Sequence, residues 1–221
     1  MEIIPAILPK NFKELEEKTE AINGIASLVQ VDICDGKYVP TITWPYWKQD
    51  PDFEAILKEE RGMPFWETVN YEFDLMIENP TEDDARKWLS AGAERMVLHL
   101  GSSKDLNPVI DVLNGLVEVG IAVSSADNIE DLAKYINKIQ FVQIMGIRKP
   151  GFQGSRFENA TFDIIKKVKE LYPDITIQID GGVSMDNAEE LKNAGVARLV
   201  AGSAIFNSDD IVDSLEQFRT I

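Results

Sequence analysis

The sequence predicts a (β/α)₈ barrel of the TIM type, and three observations lead there. Short β-type runs alternate with amphipathic helical runs eight times along the 221 residues, which is the pattern of a parallel sheet wrapped by helices. That length suits one eight-fold domain spanning 1–221. Glycine-bearing turns, DGGVS at 180–184 and AGSAIF at 201–206, follow the last two strands. A doubly wound open sheet of about five or six strands is the rival architecture, and eight strand–helix units exceed it.

Strands are read at residues 3–8, 28–32, 69–77, 96–100, 121–124, 141–145, 176–180 and 198–201, with helices at 12–22, 53–58, 82–91, 108–119, 129–137, 162–171, 186–194 and 211–219. Thr81 and Ser184 stand where helix N-caps belong. Gly92, Gly120 and Gly195 are read as closing helices just before strands. Two connections exceed the usual length. Residues 33–52 carry Tyr38, Trp44, Tyr46 and Trp47, and residues 146–161 carry a Pro-Gly pair. Both follow strands at the face where barrels place their chemistry, and long loops there often serve as lids or binding loops.

Charge narrows the partners. Against 22 Lys and Arg stand 38 Asp and Glu, a net charge of −16, and such a surface repels nucleic acid and anionic membrane. Phosphorylated metabolites are repelled at long range too, so a phosphate must be held by local donors. No apolar run approaches the roughly 18 residues of a membrane span, and the start MEIIPAILPK reads as a strand rather than a signal segment. The single cysteine, Cys34, fits a reducing, cytoplasmic setting.

The candidate chemistry lies at two places. Gly181, Gly182 and Gly202 let backbone approach an anion closely, and Ser203 adds a hydroxyl; in this fold phosphate sits between the loops after strands 7 and 8. Alternation along strands puts Gln30 with Asp32, Asp74 with Met76, and Gln178 with Asp180. Their apolar neighbours face the helices, so Asp32, Asp74 and Asp180 converge on the barrel axis. Crowded carboxylates either bind a cation or have a pKa raised.

The segments VDICDGKYVP at 31–40, DLMIENP at 74–80, PGFQGSRF at 150–157, QIDGGV at 178–183 and VAGSAIF at 200–206 resemble the ribulose-phosphate 3-epimerase family, in its order and at its strand positions. The resemblance implies a sugar-phosphate substrate and epimerisation at C3 by two aspartates on opposite faces, matched here by Asp32 and Asp180. It places Met76 and Met145 against the reactive intermediate. It puts Gly154, Gly181, Gly182, Gly202 and Ser203 around the substrate and its phosphate. His99, the only histidine, is a further substrate-site candidate on strand 4.

The chain departs from the family at its divalent metal, which two aspartates and two histidines hold. The matching histidine positions are Gln30 and Asp74, and Ala6 stands at a family serine. Gln30, Asp32, Asp74 and Asp180 form an oxygen-rich set suited to Mg²⁺ or Mn²⁺ rather than Zn²⁺ or Fe. The alternative is no metal, with a loop cation such as Lys37, Arg148, Lys149 or Arg156 closing over the site. Two other functions stay open. One is a magnesium-dependent phosphosugar lyase or decarboxylase, whose strand-3 lysine is missing from DLMIEN at 74–79. The other is a non-catalytic phosphosugar-binding barrel. Family members often form homo-oligomers, and no motif here sets a number.

Overall fold

Eight parallel strands close on themselves in the order β1 to β8. They are β1 (Glu2–Ile7), β2 (Leu28–Cys34), β3 (Asn70–Met76), β4 (Ala93–His99), β5 (Glu118–Val123), β6 (Phe141–Met145), β7 (Thr176–Asp180) and β8 (Arg198–Ala201). The computed structural model describes residues 1–152 and 154–221, and Gln153 of the loop after β6 lies outside them. Around the barrel run α1 (Phe12–Ile22), α2 (Pro51–Leu57), α3 (Glu82–Ser90), α4 (Asn107–Leu113), α5 (Thr161–Leu171), α6 (Met185–Asn193), α7 (Ser203–Phe206) and α8 (Ile211–Thr220).

The local chemistry explains the helix starts. Thr81 and Asp84 form a reciprocal capping box at α3, and Ser184 and Asn187 form one at α6. Asp50 accepts from the amides of Asp52 and Phe53, with Pro51 at the first turn of α2.

Two expected helices differ and one element is added. The helix expected over 108–119 ends at Leu113, because Gly115 takes φ +76° and β5 begins at Glu118. Gly120 therefore lies inside a strand rather than closing a helix. A Cβ there would sit 2.3 Å from the Phe141 ring, so the glycine makes room for that ring inside the barrel. The run over 129–137 is a 3₁₀ helix of Ile129–Lys134, a tighter winding used in short pieces. Helix α7 was not expected.

The core between sheet and helices is apolar, with Val31, Ile33, Phe73, Leu75, Ile177 and Ile179 turned outward into it. Trp44, in the long loop after β2, is buried among Phe12, Phe53 and Trp88 at ring-centroid distances of 5.6, 5.3 and 6.2 Å, and Phe73 meets Trp88 at 4.6 Å. That loop is thus anchored in the core at its middle, with Trp47 exposed beyond the anchor.

The barrel interior is unusual in being polar. Gln30, Glu72, Asp74, Gln143 and Gln178 are each fully buried within it, where branched apolar side chains usually fill the layers. At the N-terminal mouth Arg95 pairs with Glu2 at 3.1 Å and Glu118 at 2.9 Å, and Arg198 pairs with the same two carboxylates at 3.2 and 2.7 Å. These four residues from β1, β4, β5 and β8 form a ring of alternating charge that closes that end.

Trp88→Ala removes the ring against which Trp44, Phe53 and Phe73 pack. We expect a loss of about 3–5 kcal/mol in unfolding free energy, read from urea denaturation. A loss under about 1 kcal/mol would mean the aromatic cluster does not anchor the loop after β2.

Candidate active site

Strand register brings the expected carboxylates together. Asp32 and Asp74 are direct partners across β2 and β3, and Asp180 is opposite Met145 across β6 and β7. One oxygen from each of Asp32, Asp74 and Asp180 lies within 4.8 Å of the others, and all three side chains are buried. The outward neighbours Val31, Ile33, Phe73, Leu75 and Ile179 explain the direction, since each finds the helix layer only if its carboxylate neighbour points inward.

Two amides bracket the cluster. Gln30 Nε2 donates to Asp32 Oδ1 at 2.8 Å and to Asp180 Oδ2 at 3.3 Å. Gln143 Nε2 donates to Asp74 Oδ2 at 3.0 Å and to Asp180 Oδ2 at 3.5 Å. His99 Nε2 lies 2.8 Å from Asp74 Oδ1, with the imidazole tilted against the Tyr38 ring at 5.2 Å. His99 thus turns to a carboxylate, and it is not among the residues that line the cavity.

Burial dominates the electrostatics. Desolvation, with the neighbouring charge of Asp74, pushes Asp180 up to about 7. Desolvation, then the charges of Asp180 and Asp74, holds Asp32 well above the carboxylate range. Below them Glu72 is raised to about 8 by burial, against the lowering effects of Gln178 and Arg95. Near neutral pH the cluster therefore keeps protons, which is the condition for one carboxyl to accept a proton while another donates one.

The cavity above these carboxylates is lined by Ala6, Asp32, Met76, Met145, Asp180 and the expected glycines Gly154, Gly181, Gly182 and Gly202, with Ser203. Gly181 and Gly182 take φ +96° and +69°, and a Cβ on Gly182 would lie 2.6 Å from the backbone nitrogen of Phe157. Only glycine allows the β7 loop to pass that close to the β6 loop. The Ser184 amide is already held by Asn187 Oδ1 at 2.9 Å, and the Gly181 amide by the Asp180 carboxyl. The loop after β2 leans over from the other side, where Thr41 Oγ1 donates to the Gly151 carbonyl at 2.7 Å.

Two residues of the cluster escaped the sequence reading. Gln143 stands two places before the lining residue Met145, and Glu72 two places before Asp74. Each is a polar residue in an apolar strand, on the face already known to point inward. Ile147, Phe152 and Val183 also line the cavity, in loops where no periodicity marks direction.

The profile of the ribulose-phosphate 3 epimerase family matches residues 2–206. The chain belongs to that family. Its similar curated relatives include the ribulose-phosphate 3-epimerase of Aquifex aeolicus, 25% identical with 99% of this chain and 96% of the relative covered. That of Escherichia coli K12 is 28% identical, with 99% and 94% covered, and that of Mycobacterium bovis 29%, with 98% and 91% covered. Among solved structures, 3-keto-L-gulonate-6-phosphate decarboxylase of Vibrio cholerae superposes with TM-score 0.71 at 13% identity, covering 100% of this chain and 95% of that one. 3-Hexulose-6-phosphate synthase of Salmonella typhimurium gives 0.71 at 12%, covering 100% and 97%. At those identities the likeness is one of fold.

The raised carboxyls have a consequence for folding. Asp180, Asp32 and Glu72 bind protons more tightly folded than unfolded, so the folded state carries more protons between about pH 4 and pH 8. Stability from these groups is highest at the acid end of that window and falls as pH rises through it. Urea unfolding of metal-free protein should show that decline, and Asp180→Asn should flatten it. A rise from pH 5 to pH 8 that Asp180→Asn leaves unchanged would contradict the assigned shifts.

Proposed function

We propose that this chain is a ribulose-phosphate 3-epimerase that inverts C3 of a pentulose 5-phosphate with Asp32 and Asp180 as its acid–base pair. The observation that carries the reading is the placement of these two carboxyls, from β2 and β7, at one cavity beside the glycine turns. The ionised carboxylate takes the C3 proton, electrons move into the adjacent carbonyl, and an enediolate forms. The protonated partner on the opposite face returns a proton to C3, and the configuration inverts. The two roles exchange for the reverse direction.

The phosphate binds between residues 181–183 and 202–204, where backbone amides and the Ser203 hydroxyl meet it without any long-range attraction from a chain of charge −16. Met76 and Met145 give the reacting carbons an apolar, polarisable wall.

The donor set fits a hard divalent cation. Three carboxylates lie within 4.8 Å, and the Gln30 Oε1, without a partner among the described residues, would join them if the amide turned over. Asp32, Asp74, Asp180 and Gln30 would hold Mg²⁺ or Mn²⁺, which when bound supplies positive charge for the enediolate oxygens. With one histidine in the chain, and that one turned to Asp74, the set does not suit zinc.

Three outcomes test this. Asp32→Asn and Asp180→Asn should each lower kcat by about 10²–10⁴-fold while inorganic phosphate still competes for the site. The readout is a coupled assay on ribulose 5-phosphate together with deuterium uptake at C3. If the wild type binds the sugar phosphate but exchanges no proton at C3, the non-catalytic barrel replaces this reading. After treatment with chelator, Mn²⁺ or Mg²⁺ should restore activity where Zn²⁺ does not, and tightly held zinc at one per chain would refute the assigned ligand preference.

A further inference from the structure

The polar column beneath the carboxylates has a direction. Glu72 Oε1 accepts from Gln178 Nε2 at 2.7 Å, and the same Nε2 donates to Gln143 Oε1 at 2.8 Å. Both protons of the Gln178 amide are then used, and its Oε1 has no partner among the described residues. A primary amide has one acceptor end and one donor end. With its oxygen held by Gln178, Gln143 must turn its nitrogen upward, to Asp74 Oδ2 at 3.0 Å and Asp180 Oδ2 at 3.5 Å. Reversed, the amide would aim an oxygen at two carboxylates in a fully buried space, an arrangement that is repulsive where water cannot screen it.

We propose that Gln143 is a positioning residue for the proton-transfer carboxylates, and that the Gln178–Glu72 pair sets its orientation from below. With Gln143 donating to Asp180 Oδ2, joined by Gln30 in the metal-free site, that oxygen is turned into the barrel. Proton exchange with the substrate falls to Oδ1. Glu72 serves in either protonation state, since its Oε1 accepts in both. Arg95, 3.8 Å from Glu72 Oε2, ties the base of the column to the charged ring at the N-terminal mouth. The order of dependence is Glu72, Gln178, Gln143, then the carboxylates, so the two lower residues act on catalysis without touching substrate.

This rests on the epimerase reading, and the experiment separates the two. The wild type is first assayed for deuterium uptake at C3 of ribulose 5-phosphate; no uptake removes the reading and the proposal with it. Given uptake, Gln143→Leu and Gln178→Leu should each lower kcat about ten- to a hundredfold, the range of a hydrogen bond lost to a charged group, with KM within about twofold. Introduced into the Gln143→Leu background, Gln178→Leu should cost nothing further, because it acts only through the Gln143 amide. Additive losses, or losses that fall on KM and thermal stability alone, would overturn the proposal and leave the epimerase reading standing. Should Gln178→Leu fail to fold, Glu72 supplies the comparison. Glu72→Gln keeps an acceptor oxygen and should retain kcat within about threefold, whereas Glu72→Leu should lose it in the wild-type background only. Equal effects of the two Glu72 variants would likewise overturn it.

Discussion

Three carboxylates whose oxygens approach within 4.8 Å impose a constraint on everything around them. In a water-poor interior their mutual repulsion and lost hydration cost far more than at a surface. The protein can retain protons on them, supply N–H donors, or bring in a cation. This barrel does the first two with residues of its own. Asp180 is raised to about 7 and Asp32 well above the carboxylate range by burial and their neighbours' charge, and the Gln30 and Gln143 amides each bridge two of the three carboxyls. His99 takes the remaining side of Asp74.

The same constraint explains the polar interior. An amide that must point its nitrogen at a carboxylate needs its oxygen satisfied, and each such need passes one layer down the barrel. Gln143 requires Gln178, and Gln178 is met by Glu72. Glu72 lies near Arg95, whose charge is balanced by Glu2 and Glu118. The chain of requirements ends only where the ring of Glu2, Arg95, Glu118 and Arg198 meets solvent. A barrel filled with branched aliphatic side chains would have no means of orienting the amides at its upper rim.

The proposed phosphate end follows a different logic. With a net charge of −16 the molecule gains nothing from its overall field, so recognition of a phosphate would be left to backbone dipoles at short range. That demands close approach of two loops, and the positive φ of Gly181 and Gly182 provides it. The loop after β2 is fixed at two points. Trp44 secures it in the aromatic core while Thr41 reaches the β6 loop. Rigid anchoring and site enclosure are thus parts of one connection.

By itself the sequence determined the barrel, because eight units of alternating period leave few ways to bury both faces of the strands. It also determined the inward set Asp32, Asp74 and Asp180, since Val31, Ile33, Phe73, Leu75 and Ile179 can only face helices, and the glycine turn after β7, whose Gly181 and Gly182 take positive φ. Local sequence did less well where one residue type has two uses. Gly120 looked like a helix stop and is a gap left for the Phe141 ring, and Trp44 looked like part of a binding loop and is core. Only the tertiary structure decided which donors surround the carboxylates. Gln143 and Asp180 are 37 residues apart and Gln178 and Glu72 106 apart. Whether two such side chains meet depends on the shear of the closed barrel, which sets which strand positions share a layer. That register is a property of closure, and no local pattern of residues encodes it.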